Sequence, residues 1–102
     1  MGAAFLVGMD VLIPCVAQPG PVPGEQLVTV EIDGSAIEGF VRKENLHEAN
    51  GQTFIRGKIL RVEGDLVHVR LAGSFFTKAA GIASLSRSWA ARHIQTGVHA
   101  SA

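Results

Sequence analysis

Gln26-Leu27-Val28-Thr29-Val30-Glu31-Ile32-Asp33-Gly34-Ser35-Ala36-Ile37-Glu38-Gly39-Phe40-Val41-Arg42 is the stretch whose reading decides the fold class. Val28, Val30 and Ile32 share one face of an extended chain, and Leu27, Thr29 and Glu31 share the other. That period of two is what a half-buried strand requires. Asp33-Gly34 is a turn signal, because glycine accepts positive φ without steric cost. A two-residue loop there returns the chain as a partner strand from Ala36 to Arg42. It sets Ile37 opposite Val30 on the buried face and Glu38 opposite Thr29 outside.

A second hairpin follows the same logic. Thr53 to Glu63 reads as a long strand with a phase defect: Ile55 and Ile59 share one parity, Leu60 and Val62 the neighbouring pair. A one-residue switch of this kind is what a β-bulge produces, with Gly57 nearby to help it. Gly64-Asp65 fits a type II′ turn. In that register Val62 faces Val67 and Leu60 faces Val69 toward the core, while Arg61 meets His68 outside.

The two hairpins look alike. Leu27 to Ser35 aligns without a gap on Leu66 to Ser74, with five of nine positions identical. Each copy then leads to a glycine-apolar step, Gly39-Phe40-Val41 and, after an insertion, Gly81-Ile82-Ala83. Two hairpin units, each unable to bury its own apolar face, could close together as a pseudo-two-fold barrel and so remove exposed sheet edges. The alternative is that any two amphipathic strands ending in glycine resemble each other.

Gly39-Phe40-Val41-Arg42-Lys43-Glu44-Asn45-Leu46 resembles the Gly-aromatic-Val-Pro-x-x-Tyr-apolar end of Src-homology-3-like barrels, and Leu85-Ser86-Arg87-Ser88-Trp89-Ala90 resembles a looser version of it. The matches cover about a fifth of the chain. The family's proline is replaced by Arg42 in the first and Ser86 in the second. The resemblance implies a small barrel at the level of fold.

Elsewhere, Asp10 to Val16 alternates as a strand, and Pro14, lacking an amide donor, predicts a sheet edge or bulge there. Gln18 to Gly24 is a proline- and glycine-rich loop, Lys43 to Asn50 is a polar stretch, and Asn50-Gly51 is a further turn. Ile82 to Leu85 predicts a short strand. Ser86 suits the N-cap of a helical turn or two running through Trp89 to Ile94, with Gly97 as its stop. Trp89 should pack on the barrel with Leu85 and Ile94. The expected architecture is mostly β, a single small barrel over residues 1–95 with a short C-terminal helical segment, and a frayed tail over 96–102.

The chain has 102 residues, 47% of them hydrophobic, and no net charge. That suits one globular domain and argues against non-specific nucleic-acid binding. The single cysteine, Cys15, cannot make an intrachain disulfide; a small buried hydrophobe in a cytoplasmic protein is the simpler reading. Met1 to Met9 is apolar but too short to span a membrane and lacks the basic start of a secretory signal. Met9 also offers an alternative start.

No stretch of the sequence has the residue spacing of a catalytic, metal-binding or nucleotide-binding motif. His47, His68, His93 and His99 have no metal-ligand spacing, and His68 reads as a solvated surface residue. Gly73 to Gly81 lacks Walker spacing, and Gly73-Ser74-Phe75 lacks the second glycine of a nucleophile elbow. Glu63 and Asp65 flank a turn. No enzyme class, cofactor or metal is supported.

Charge patterning is more informative. Residues 1–50 hold two basic and seven acidic side chains, and residues 51–102 the reverse, seven basic and two acidic. Glu31 and Glu38 stand on the outer face of the first hairpin; Arg56, Lys58, Arg61, His68 and Arg70 stand on that of the second. Phe5, Leu6, Val7, Val11 and Leu12 form an apolar start suited to cover by another subunit. The leading expectation is therefore a non-enzymatic binding or assembly module acting as a homo-oligomer. Two others stand behind it. One is a nucleic-acid binder using the basic hairpin, with Phe54, Phe75 or Phe76 for stacking; the other is an enzyme whose site forms at a symmetric oligomer centre.

Overall fold

A computed structural model describes residues 5–32, 34–75 and 81–96. In chain order its elements are β1 (Asp10–Pro19), β2 (Glu25–Ile32), β3 (Ser35–Arg42), a 3-10 turn (Lys43–Asn45), β4 (Leu46–Ala49), β5 (Gln52–Glu63), β6 (Leu66–Leu71), β7 (Ser74–Phe75), β8 (Ile82–Ser86), α1 (Arg87–His93) and β9 (Gln95–Thr96). The strands form one antiparallel sheet in the order β7-β3-β2-β1-β5-β6-β8, with β4 on β5 and β9 on β1. The fold is mostly β, and the sheet curls into a half-barrel with one short helix near the C-terminus.

The sequence repeat has a topological counterpart. β1, β2 and β3 lie on one side of the β1/β5 ladder and β5, β6 and β8 on the other. β4 pairs with β5 and β9 with β1, so each half lends its last strand to the first strand of the other. The aligned positions Val28, Val30 and Ile32 in β2, and Val67, Val69 and Leu71 in β6, are all buried in one core. Burial on both halves is what unites them: neither set of three could leave water without the other.

The first hairpin has the expected register, Val30 opposite Ile37 and Thr29 opposite Glu38, and Thr29 Oγ1 donates to Glu38 Oε2 at 3.1 Å. In the second hairpin Val62 opposes Val67 and Arg61 opposes His68 as expected, but Val69 is faced by Ile59. The bulge falls inside the hairpin, between Ile59 and Arg61, so Leu60 is the extra residue and leaves the core register. Both parities of β5 thus reach the core, Ile55 and Ile59 before the bulge and Val62 after it. Sequence alternation revealed the switch but not its position relative to the turn.

Three further expectations are corrected. β1 is interior to the sheet order, not an edge. Pro14 is tolerated because β9 reaches only Val11 and Leu12 and β2 begins only at Val16, leaving that stretch with β5 as its one described partner. The polar stretch 43–50 holds the 3-10 turn and β4, which pairs with β5 across Asn50-Gly51, at φ 53° and 78°. Gly39 and Gly81 are not equivalent: Gly39 opposes Val28, whereas the residue opposite Val67 is Leu85.

At the C-terminal end Ser86 caps α1 as expected, its Oγ accepting from the Trp89 amide at 3.2 Å. The helix stops at His93, with Ile94 as its C-cap, and Gly97 lies outside the described residues. Trp89 is 8% exposed and joins Leu85 and Ile94 in the core. Thr96, read from sequence as tail, pairs with Val11.

Candidate functional site

The outer face of β5, β6 and β8 gathers the five basic positions singled out in the sequence. Side chains alternate across a strand, so Arg56 and Lys58 of β5 and His68 and Arg70 of β6 point away from the core that Ile55, Ile59, Val67 and Val69 fill. Lys58 stands directly opposite Arg70 in the ladder. Two like charges in facing positions repel. Asp10 offsets one of them, 3.6 Å from Lys58, but both side chains are exposed and such pairs contribute little. Arg56 is half-buried against Leu12 across the ladder, and its Nε has no hydrogen-bond partner among the described residues.

The far end of the same face is self-compensated. The Glu63 carboxylate lies 3.3 Å from Arg61 and 3.1 Å from His68 Nε2, and His68 Nδ1 lies 2.8 Å from Ser84 Oγ. A carboxylate only accepts, so Nε2 donates to Glu63, while Nδ1 shares a hydrogen bond with the Ser84 hydroxyl, which can donate or accept. His68 is therefore not solvated: its side chain is 16% exposed and ties β5, β6 and β8 together. Beyond that end, Arg56 and Arg70 carry charge with no ion pair among the described residues, and Lys58 has only its exposed pair with Asp10.

The proposed stacking aromatics fare less well. Phe54 is buried, Phe75 is half-buried against the core, and Phe76 lies outside the described residues.

A second feature had no signal in the sequence. A groove of about 520 Å3 runs between Pro14–Val16 of β1, Thr29 and Glu31 of β2, the turn into β3, and Trp89 and His93 of α1. The Trp89 and His93 rings stack with centroids 4.5 Å apart, and His93 Nδ1 sits 3.0 Å from the Trp89 carbonyl oxygen, to which it donates. Val16, 66% exposed, forms part of its apolar wall. These residues come from positions 14 to 93, and no local pattern connects them. Cys15 borders the groove, but burial pushes its thiol up to about 11, so it is neutral and unsuited to nucleophilic work.

The apolar N-terminal positions divide. Phe5, Val11 and Leu12 are buried within the chain, with Phe5 and Val11 in the main core. Leu6 and Val7 are 62% and 69% exposed. The described residues contain no group of three or more His, Cys, Asp or Glu side chains placed to hold a metal, and no helix long and apolar enough to cross a membrane. Comparison with protein-family models, with curated proteins and with solved structures found no match.

Proposed function

We propose that this chain is a non-enzymatic assembly module that works as a homo-oligomer. One observation carries the reading: Glu25, Glu31 and Glu38 stand on β2 and β3, and Arg56, Lys58, Arg61 and Arg70 stand on β5 and β6, so one curled sheet is acidic on one side of the β1/β5 ladder and basic on the other. Complementary potentials on one molecule favour contact between copies, and they set orientation and encounter rate more than raw affinity. Leu6 and Val7 add exposed apolar surface for such a contact. The small-barrel likeness to Src-homology-3-like proteins is supported by β3 passing through a 3-10 turn into β4, over Gly39 to Leu46. A buried free thiol at Cys15 suits a reducing cytoplasm.

Light scattering at micromolar concentration tests the reading. An oligomer at low salt that shrinks as salt screens the charges is the expected result. A monomer at every concentration and ionic strength would overturn it. The nucleic-acid alternative draws on Lys58 facing Arg70, and burial of Phe54 weakens its stacking platform. Fluorescence anisotropy with a labelled single strand reports it: tight, salt-sensitive binding by a monomeric protein would put that reading in place of assembly.

A further inference from the structure

The walls of the groove between β1, β2 and α1 have committed their side-chain donors and kept their acceptors. Thr29 Oγ1 donates to Glu38 Oε2 at 3.1 Å. Gln52 Nε2 donates to the Cys15 and Thr53 carbonyl oxygens, at 3.2 and 2.8 Å. His93 Nδ1 donates to the Trp89 carbonyl oxygen. Gln52 Oε1 and the Glu31 carboxylate remain as acceptors, and Ser35 keeps a hydroxyl that can act either way.

Charge points in the same direction. Glu31 is exposed and makes no ion pair among the described residues, and neither lysine nor arginine lines the groove. A carboxylate or phosphate entering it would meet a like charge. The rest of the wall is largely apolar, with Pro14, Val16 and Ala36 beside the Trp89–His93 stack. A ligand that fits therefore carries positive charge and several N–H donors on an apolar stem.

We propose that this groove receives an arginine side chain presented by a partner protein, its guanidinium at Glu31 and Gln52 and its stem along Val16. Two features select arginine over lysine. The guanidinium offers five donors in a planar fork, enough for a carboxylate and an amide oxygen together, whereas an ammonium is a compact point charge. It is also the more weakly hydrated of the two and packs against aromatic rings, which suits a groove with an aromatic pair in its wall. The volume of about 520 Å3 lies in the range of sites that enclose a whole small ligand, so residues flanking the arginine find room as well. The site is complete within one chain, and it stands whether or not copies associate through their charged faces.

Trp89 is the only tryptophan and lines the groove, so its emission reports occupancy. Titration with the peptide acetyl-Gly-Arg-Gly-amide should give a saturable change in emission, together with shifts of the Val16 and Glu31 amides. Absence of both at millimolar peptide would overturn the proposal. The citrulline peptide keeps the shape and loses the charge, and it should bind about tenfold more weakly or worse. Equal binding of citrulline or of the lysine peptide would overturn the choice of arginine.

Two variants locate the site. Glu31→Gln should weaken binding about tenfold, while Glu25→Gln, on the same strand but outside the groove, should leave it unchanged. Equal loss in the two would mean that the acidic half attracts the peptide as a whole, which would overturn the groove. Val16→Lys places a like charge at a position already 66% exposed, so binding should vanish with far-UV circular dichroism kept. Binding that survives it would overturn the site. Light scattering on the same samples separates this proposal from assembly: a monomer should bind as well as an oligomer, and binding by the oligomer alone would overturn a site complete in one chain.

Discussion

The half built from β1 to β4 and the half built from β5 to β9 use the same strand order and opposite chemistry. Val28, Val30 and Ile32 fill the core from one side as Val67, Val69 and Leu71 fill it from the other, because interior packing is indifferent to what lies outside. On the outer face the halves diverge: a Thr29–Glu38 hydrogen bond joins the two strands of the first hairpin, and the Arg61–Glu63–His68–Ser84 chain ties three strands of the second half. Their connections differ too. The first hairpin turns in two residues, whereas β6 reaches β8 by a longer excursion that lays β7 on β3. Shared inner faces therefore make one cooperative unit, and unlike outer faces make a directional one.

Val69→Asp probes the shared core most severely. Val69 and its counterpart Val30 are both fully buried. An unpaired carboxylate at either place should cost several kcal/mol, on the order of the whole stability of a small domain. Urea unfolding of Val69→Asp and Val30→Asp should show equal loss in the two. A variant whose other half stays folded would break the picture of one core.

Gly39 and Leu85 occupy equivalent positions, opposite Val28 and Val67, and could hardly differ more. Leu85 is fully buried, while a Cβ on Gly39 would collide with Ser74 O and stand 2.6 Å from Phe75 Cα. Gly39→Ala should therefore displace β7 and cost roughly 1–3 kcal/mol, the usual penalty of overpacking. Amide chemical shifts confined to Phe40, Ser74 and Phe75 would report it; an unshifted β7 would mean the close approach is not real.

The two half-ends differ in capping. Ser86 caps α1 with its side chain, whereas Arg42 before the 3-10 turn makes no such bond. Ser86→Ala should cost about 1 kcal/mol, and Arg42→Ala should fall within about 0.5 kcal/mol of zero. Thermal unfolding of the pair measures the contrast, and equal effects would remove it.

Cys15 lies on the ladder where the halves meet, opposite Thr53. Its thiol is raised from 9.0 to about 11 by burial, so folding favours the protonated form. That contribution is complete below pH 9 and is lost as pH rises toward 11. Iodoacetamide at pH 8.5 should label the urea-unfolded chain and spare the native one; rapid native labelling would contradict the buried, neutral thiol.

Both hairpins were legible because strand alternation and turn chemistry are local. So were the cap at Ser86 and the burial of Trp89. The bulge was legible as a parity defect, but its place at Leu60 follows from how Ile59 packs against Val69. β4 was missed because Leu46-His47-Glu48-Ala49 carries no buried face of its own; it is a strand because β5 offers a partner. Of the candidate site, the five basic side chains were visible as a charge split. Their division into an end tied by ion pairs and hydrogen bonds and an end largely without them was not.

By itself, then, the sequence determined the class of fold, the register of the first hairpin and the sign of charge on each half. Those follow from the period of side chains along one strand and from turn residues a few positions apart. Only the tertiary structure decided that β4 and β9 are exchanged between halves, that Phe5, Val11 and Leu12 are covered within the chain, and that a groove joins Val16 to Trp89. Each of those depends on contacts between residues far apart in sequence. Their free energy comes from apolar area removed from water when the halves meet, and no window of sequence contains both surfaces.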